Sequence, residues 1–185
     1  MKIAVVSDTH GCAQTWETMY REYMENIDGI IHAGDVLYHG PRNDIPFEYQ
    51  PKVLSAALNK LSVPFYAVQG NCDAEVDSMV LDWPLCAPLM FLKQGDFQIV
   101  VQHGHTLSDE EKVKLAKRYH ANLFISGHTH VPVLKKAEGV ILLNPGSPAM
   151  SKRSDKRGTM AFLVDNKVQL IALDNGEILG EELYV

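Results

Sequence analysis

Phe124–His130, FISGHTH, is the stretch from which the rest of the chain can be read. Leu123, Phe124 and Ile125 form a short apolar run of the kind that makes a buried strand in an α/β sheet. Gly127 lets the backbone turn sharply where that strand ends, and His128 and His130 then project from the rim with one residue between them. Ligands of open α/β sheets collect outside the carboxyl ends of the strands. Other strands of this chain are therefore expected to end in chemically active side chains too.

Four more do. KIAVVSDTHG puts Asp8 and His10 after an apolar run, GIIHAGD puts Asp35 after a second, PFYAVQGNCD puts Asn71 after a third, and FQIVVQHGH puts His103 after a fourth. Carboxylate and imidazole donors suit Mn, Fe, Zn, Ni or Co, and a carboxylate can bridge two ions. Asp8, His10, Asp35, Asn71, His103, His128 and His130 thus read as the ligand set of two adjacent divalent metals. If these seven were only caps and packing groups, their shared position at strand ends would be a coincidence. His32 lies inside its strand and is expected to be a packing histidine.

With 185 residues the chain is expected to form one domain, 1–185, with a core large enough to need no disulfide. The formal net charge of -6 argues against general nucleic-acid binding. Cys12, Cys72 and Cys86 are odd in number and widely spaced, which fits a reducing compartment. An apolar strand begins at Lys2 and no run approaches membrane-spanning length, so we expect a cytoplasmic protein with no membrane association.

Along the chain, Gln14–Asn26 carries Trp16, Met19, Tyr20 and Tyr23 at helical spacing, and Val53–Leu61 repeats the pattern. Between them VLYHGPRNDIP is long and irregular for a strand-to-helix connection, which makes it a functional suspect. It holds His39 and Arg42, and the arginine fork suits a phosphate. Met79–Leu92, with two prolines among several apolar residues, reads as a crossing between sheets. A hairpin turning at Gln94–Asp96 follows, then a helix capped by Ser108 with acids in its first turn and bases in its last. After His130 the helical pattern disappears. Antiparallel strands turn at Glu138–Gly139, Asp165–Asn166 and Asn175–Gly176, and the basic segment SKRSDKRG is expected to be either disordered or part of a rim.

DTHG, GD, GN, HGH and GHTH, in this order across most of the chain, resemble the signature of the calcineurin-like metallophosphoesterase superfamily. GDVLYHGPRN with QGNCD, in so short a chain, is most similar to its small YfcE-type phosphodiesterase branch. The resemblance implies an α/β (α+β) fold, a four-layer αββα sandwich of two mixed β-sheets flanked by helices. It also implies that Asp8, His10 and His130 hold one metal, that Asn71, His103 and His128 hold the other, and that Asp35 bridges them. A metal-bridging hydroxide would then be the nucleophile and Mn the leading metal, with Ni, Co, Fe or Zn as substitutes. A homodimer or homotetramer is the implied assembly.

One position departs from the pattern. Many members of the superfamily carry histidine directly after the asparagine, where this chain has Cys72, and a thiol replaces an imidazolium poorly at neutral pH. His39 and then His105 are the candidates to replace it as proton donor, with Asp73 orienting either. A diester carries one negative charge and needs less cationic neutralisation than a monoester dianion. The expected activity is therefore hydrolysis of a small phosphodiester, with Arg42, His39 and Asn71 holding the phosphate. The competing expectations are a phosphomonoesterase or protein phosphatase on the same core, and a scaffold that binds partners without turnover.

Overall fold

In β1 (Lys2–Val6) successive side chains alternate between two cores, Ala4 and Val6 on one side and Val5 on the other. The same alternation recurs in β7 (Leu123–Ile125), where Leu123 and Ile125 share the core of Val5 while Phe124 points to a third. Strands that are apolar on both faces need a cover on each side. The computed structural model, which describes residues 1–86 and 88–184, shows how those covers are arranged.

One sheet runs in the order β12 (Ile178–Leu183), β11 (Lys167–Ala172), β10 (Thr159–Val164), β1, β2 (Gly29–His32), β3 (Phe65–Val68), β4 (Leu85–Cys86). The other runs β5 (Met90–Gln94), β6 (Phe97–Val101), β7, β9 (Val140–Asn144), β8 (Val133–Ala137). β1 to β4 are parallel, as are β6, β7 and β9, while the remaining pairings are antiparallel. Val5, Ile31 and Val68 meet Ile99, Leu123, Ile125 and Leu143 between the sheets. Helices α1 (Ala13–Tyr23) and α2 (Pro51–Asn59) cover the outer face of the first sheet through Trp16, Met19, Leu54 and Leu58. Helix α3 (Asp109–Arg118) covers Phe124 and Leu142 on the second. The result is the expected four-layer αββα sandwich.

Local chemistry sets the element ends. Ser108 Oγ accepts from Glu111 N at 3.3 Å while Glu111 Oε2 accepts from Ser108 N at 2.8 Å, a reciprocal cap at the start of α3. Pro51 opens α2, two residues earlier than the sequence pattern indicates, because proline fits the first helical turn, where its missing N–H would have no helical partner. Glu138–Gly139 and Asp165–Asn166 take positive φ and close their hairpins. The crossing between sheets falls between β4 and β5. The two-residue β4 and a 3₁₀ turn at Glu75–Met79 carry no periodic signal in the sequence. Among the described residues no helix is long and apolar enough to cross a membrane.

Candidate metal centre

The carboxyl ends of β1, β2, β3, β6 and β7 converge on one cleft of about 490 Å³. Asp8 (φ 55), His10 (φ 46), Asp35 (φ 59), His128 (φ 71) and His130 (φ 58) all adopt left-handed backbone conformations. Such conformations cost residues with a Cβ on the order of 1 kcal/mol or more each and gather at functional sites. Each turns the chain two to five residues past the end of its strand. Gly127 has a different role from the sharp turn expected of it, since its φ is not positive and what it provides is space. A Cβ there would strike Ser7 Oγ and Asp8 Oδ2, and one at Gly70 would strike the Asp35 carboxylate.

The seven donors fall into two groups. His130 Nε2 lies 3.4 Å and His10 Nε2 3.7 Å from Asp8 Oδ1, with the two imidazole nitrogens 3.0 Å apart. On the other side Asn71 Oδ1 lies 3.1 Å from His103 Nε2 and 2.7 Å from His128 Nδ1. Asp35 Oδ2 stands between the groups, 3.7 Å from His10 Nε2 and 3.3 Å from His103 Nε2.

The second nitrogens decide what these contacts mean. His10 Nδ1 donates to Tyr38 O at 2.6 Å, His103 Nδ1 to Ala33 O at 2.8 Å and His130 Nδ1 to Met150 O at 2.8 Å. Rings held in this way turn their Nε2 atoms inward, where they face one another and two carboxylates. Nitrogens and carboxylate oxygens this close are compatible only with a proton or a cation among them. Burial would raise both carboxyls, but the neighbouring histidines hold Asp8 and Asp35 below the ordinary carboxylate range. Burial would likewise depress His103, yet its hydrogen bond to Asp35 and the charges of Asp8 and Asp35 push it up to about 9. The donor set demands positive charge, and its hard oxygens and imidazoles fit divalent metals.

Behind the donors a second layer fixes their backbones. Asp73 accepts from Asp35 N at 2.8 Å, Val36 N at 2.7 Å and Gly70 N at 2.7 Å, tying the end of β3 to the end of β2. Its carboxylate is therefore occupied, and it makes no hydrogen bond to His39 or His105. The expected orienting role is replaced by one of positioning Asp35. Asn144 Nδ2 donates to Gly127 O at 2.7 Å and Ser147 Oγ to Asp8 O at 2.7 Å, contacts that no sequence motif signalled. His32 is the packing histidine expected. Thr9 Oγ1 gives its proton to Val36 O, so His32 Nε2 donates to Thr9 Oγ1 at 3.0 Å and Nδ1 accepts from Gly34 N at 3.1 Å.

The rim separates the remaining candidates. Arg42 lines the cleft and is exposed, opposite Lys152 from the basic segment, which is ordered and forms part of the rim. Cys72 also lines it, its thiol pushed up to about 12 by burial and by the charge of Asp35. Asn71 Nδ2 donates to Cys72 Sγ at 3.2 Å. His105 is exposed beside the donors, its ring 5.7 Å from that of His103 and 5.9 Å from that of His128. His39 does not line the cleft. Its ring packs edge-on against Tyr38 at 4.7 Å and Tyr49 at 4.9 Å, which removes it as proton donor and as phosphate ligand. The neighbouring loop residue Asn43 lines the cleft instead. Only its place in the irregular loop could have marked it.

Comparison with known proteins agrees with this geometry. The calcineurin-like phosphoesterase superfamily domain matches residues 1–167. Phosphodiesterase YfcE of Escherichia coli is 31% identical over 182 residues, covering 98% of this chain and 97% of that protein. A solved structure of that phosphoesterase superposes with a TM-score of 0.85 at 28% identity, over 99% of both chains. A probable metallophosphoesterase of Methanocaldococcus jannaschii is 31% identical over 175 residues, 91% of this chain and 79% of that one. Vacuolar protein sorting 29 of Cryptosporidium parvum, 17% identical over 99% and 98% of the two chains with a TM-score of 0.71, shares the fold.

Proposed function

Because the chain belongs to the calcineurin-like phosphoesterase superfamily, and so to the metal-dependent phosphoesterases, we propose that it hydrolyses small phosphodiesters at a centre of two divalent metals. The observation that carries this reading is Asp35 Oδ2, set between His10 Nε2 and His103 Nε2 with a second donor group on each side. Asp8, His10 and His130 would hold one ion, Asn71, His103 and His128 the other, and Asp35 both. When bound, divalent metals supply an activated water and neutralise charge building on the phosphoryl oxygens.

The chain's own side chains do the rest. The carbonyls of Tyr38, Ala33 and Met150 hold the rings of His10, His103 and His130 with Nε2 turned into the site, so the donors are already oriented to bind. Arg42 and Lys152 at the rim and the Asn71 amide draw in the phosphate and orient it. Cys72, neutral at physiological pH, adds no positive charge beside Asp35. This favours a singly charged diester over a monoester dianion. With His39 packed against Tyr38 and Tyr49 and not lining the cleft, His105 is the remaining histidine placed to return a proton to the departing oxygen. The resemblance to the YfcE branch supports Mn as the preferred ion, with Ni, Co, Fe or Zn as substitutes. It also supports a cytoplasmic homodimer or homotetramer in which residues 1–185 act as one unit.

The test is hydrolysis of bis-p-nitrophenyl phosphate against p-nitrophenyl phosphate by chelator-stripped protein resupplied with each metal. Restoration by Mn with the diester preferred is the expected result. A higher kcat/KM on the monoester would contradict the diester assignment.

A further inference from the structure

Beside the cleft, and sharing Arg42 and Asn43 with it, runs a second and larger groove of about 940 Å³ between α1 and the 42–48 loop. None of the seven donors lines it, and of the phosphate-holding groups only Arg42, at the junction, reaches it. Its outer wall carries Ile45, 67% exposed, and Phe47, fully exposed, on either side of Pro46, and Pro148 and Met150 line it from the other side.

The loop is held in place. Glu48 accepts from Thr15 N at 2.7 Å and from Thr15 Oγ1 at 2.6 Å, while Gln50 N donates to Gly11 O at 2.8 Å. The exposed aromatic and aliphatic side chains are thus presented by an anchored segment. Met150 links the two spaces, since its carbonyl orients His130 while the residue lines the groove.

Charge narrows the occupant. Arg42, at the junction, is the one cation lining the groove among the described residues, against the carboxylates of Asp44, Glu48 and Asp174. Glu48 is taken by Thr15, and Asp174 pairs with Arg157 at 2.8 Å. A second phosphate or other anion would meet three carboxylates against the single lining cation, Arg42, which the first phosphate already engages. An uncharged flat group meets Phe47, Ile45 and Met150. A site of this size, contiguous with a reaction centre and walled by aromatic and aliphatic side chains, suits an organic group joined to the reacting phosphate.

We propose that this groove receives an uncharged aromatic ester group of the phosphodiester, with Phe47 and Ile45 as the residues that select it. The inference rests on the phosphodiesterase reading for the meaning of the shared junction, and its test does not depend on turnover. Dibenzyl phosphate and dimethyl phosphate carry the same charge, and both hydrolyse slowly because their leaving alkoxides are poor, so each is usable as a ligand in calorimetric titration of manganese-supplied protein. The dibenzyl ester is expected to bind about tenfold tighter or more. Phe47→Ala should reduce that ratio about fivefold, and Ile45→Ala by less.

Equal affinity for the two esters, or a ratio unmoved by Phe47→Ala, would overturn the inference. So would conversion of a dimer to a monomer by Phe47→Ala with the ratio intact, since the loop would then be a subunit contact. A tenfold ratio in protein that hydrolyses no diester would uphold the groove and refute the phosphodiesterase reading.

Discussion

Asp8, His10, Asp35, His103 and His130 lie between 0% and 2% exposed beyond the ends of β-strands, while Arg42, Lys152 and His105 stand in solvent on connecting loops. In the first group all but His103 sit on a left-handed backbone turn of their own, His10, His103 and His130 are held by carbonyls behind them, and neighbours are too close to admit a Cβ at Gly70 or Gly127. In the second group the loops are ordered but the side chains meet few constraints. A buried floor set by sheet topology therefore keeps the chemistry fixed, and an exposed rim leaves substrate choice free to change without unfolding the molecule.

The contrast is most exposed to failure at its floor. Asp35→Asn removes the charge set between His10 and His103, and the loss of several kcal/mol of charge stabilisation should lower kcat/KM about a thousandfold. Steady-state kinetics at saturating metal would show it. A loss of less than tenfold would mean that Asp35 is not central to the site.

One layer back, Asp73→Ala leaves three backbone N–H groups without their acceptor. Metal affinity should fall about 10- to 100-fold, read by calorimetry, and Asp73→Asn, which keeps one acceptor oxygen, should lose less. At the rim, Arg42→Ala should raise KM about tenfold with little change in kcat, the signature of a charged contact made equally in ground and transition states. A fall in kcat at constant KM would instead place Arg42 in the chemistry.

The mildest tests concern histidines outside both groups. His39→Ala should leave the leaving-group dependence of the rate unchanged and cost about 1 kcal/mol of stability through lost contacts with Tyr38 and Tyr49. His32, which accepts a hydrogen bond from Gly34, is depressed by burial from 6.5 to about 3. It is neutral in the folded chain and protonates on unfolding below 6.5, so its contribution is complete above that pH and is lost as the pH falls toward 3. Urea midpoints of His32→Asn compared with the parent protein should therefore show a shallower acid decline in the variant.

The same division explains what could be read from sequence. A strand must end where its apolar run ends, and a side chain placed there is fixed by topology, so the convergence of seven side chains on one cleft was legible from five short motifs. The alternation of Ala4, Val5 and Val6, or of Leu123, Phe124 and Ile125, likewise carried the layering. Positions governed by tertiary contact were not legible. His39 and Arg42 sit three residues apart in one irregular loop, yet Tyr38 and Tyr49 enclose the first while the second lines the cleft. Asp73 has the same ambiguity, for an acid after Gly-Asn-Cys reads equally as a turn former or an orienting group, and only the folded backbone shows which N–H groups it meets. The groove under Phe47 joins α1, the 42–48 loop and the segment after β9, parts far apart in the chain.

The most direct test of the central claim is the metal stoichiometry of the parent protein and His128→Ala, measured by elemental analysis after chelator stripping, reloading with Mn and desalting. The account predicts two ions per chain in the parent and about one in the variant, since Asp8, His10 and His130 remain to hold the first. One ion or none in the parent protein would contradict it.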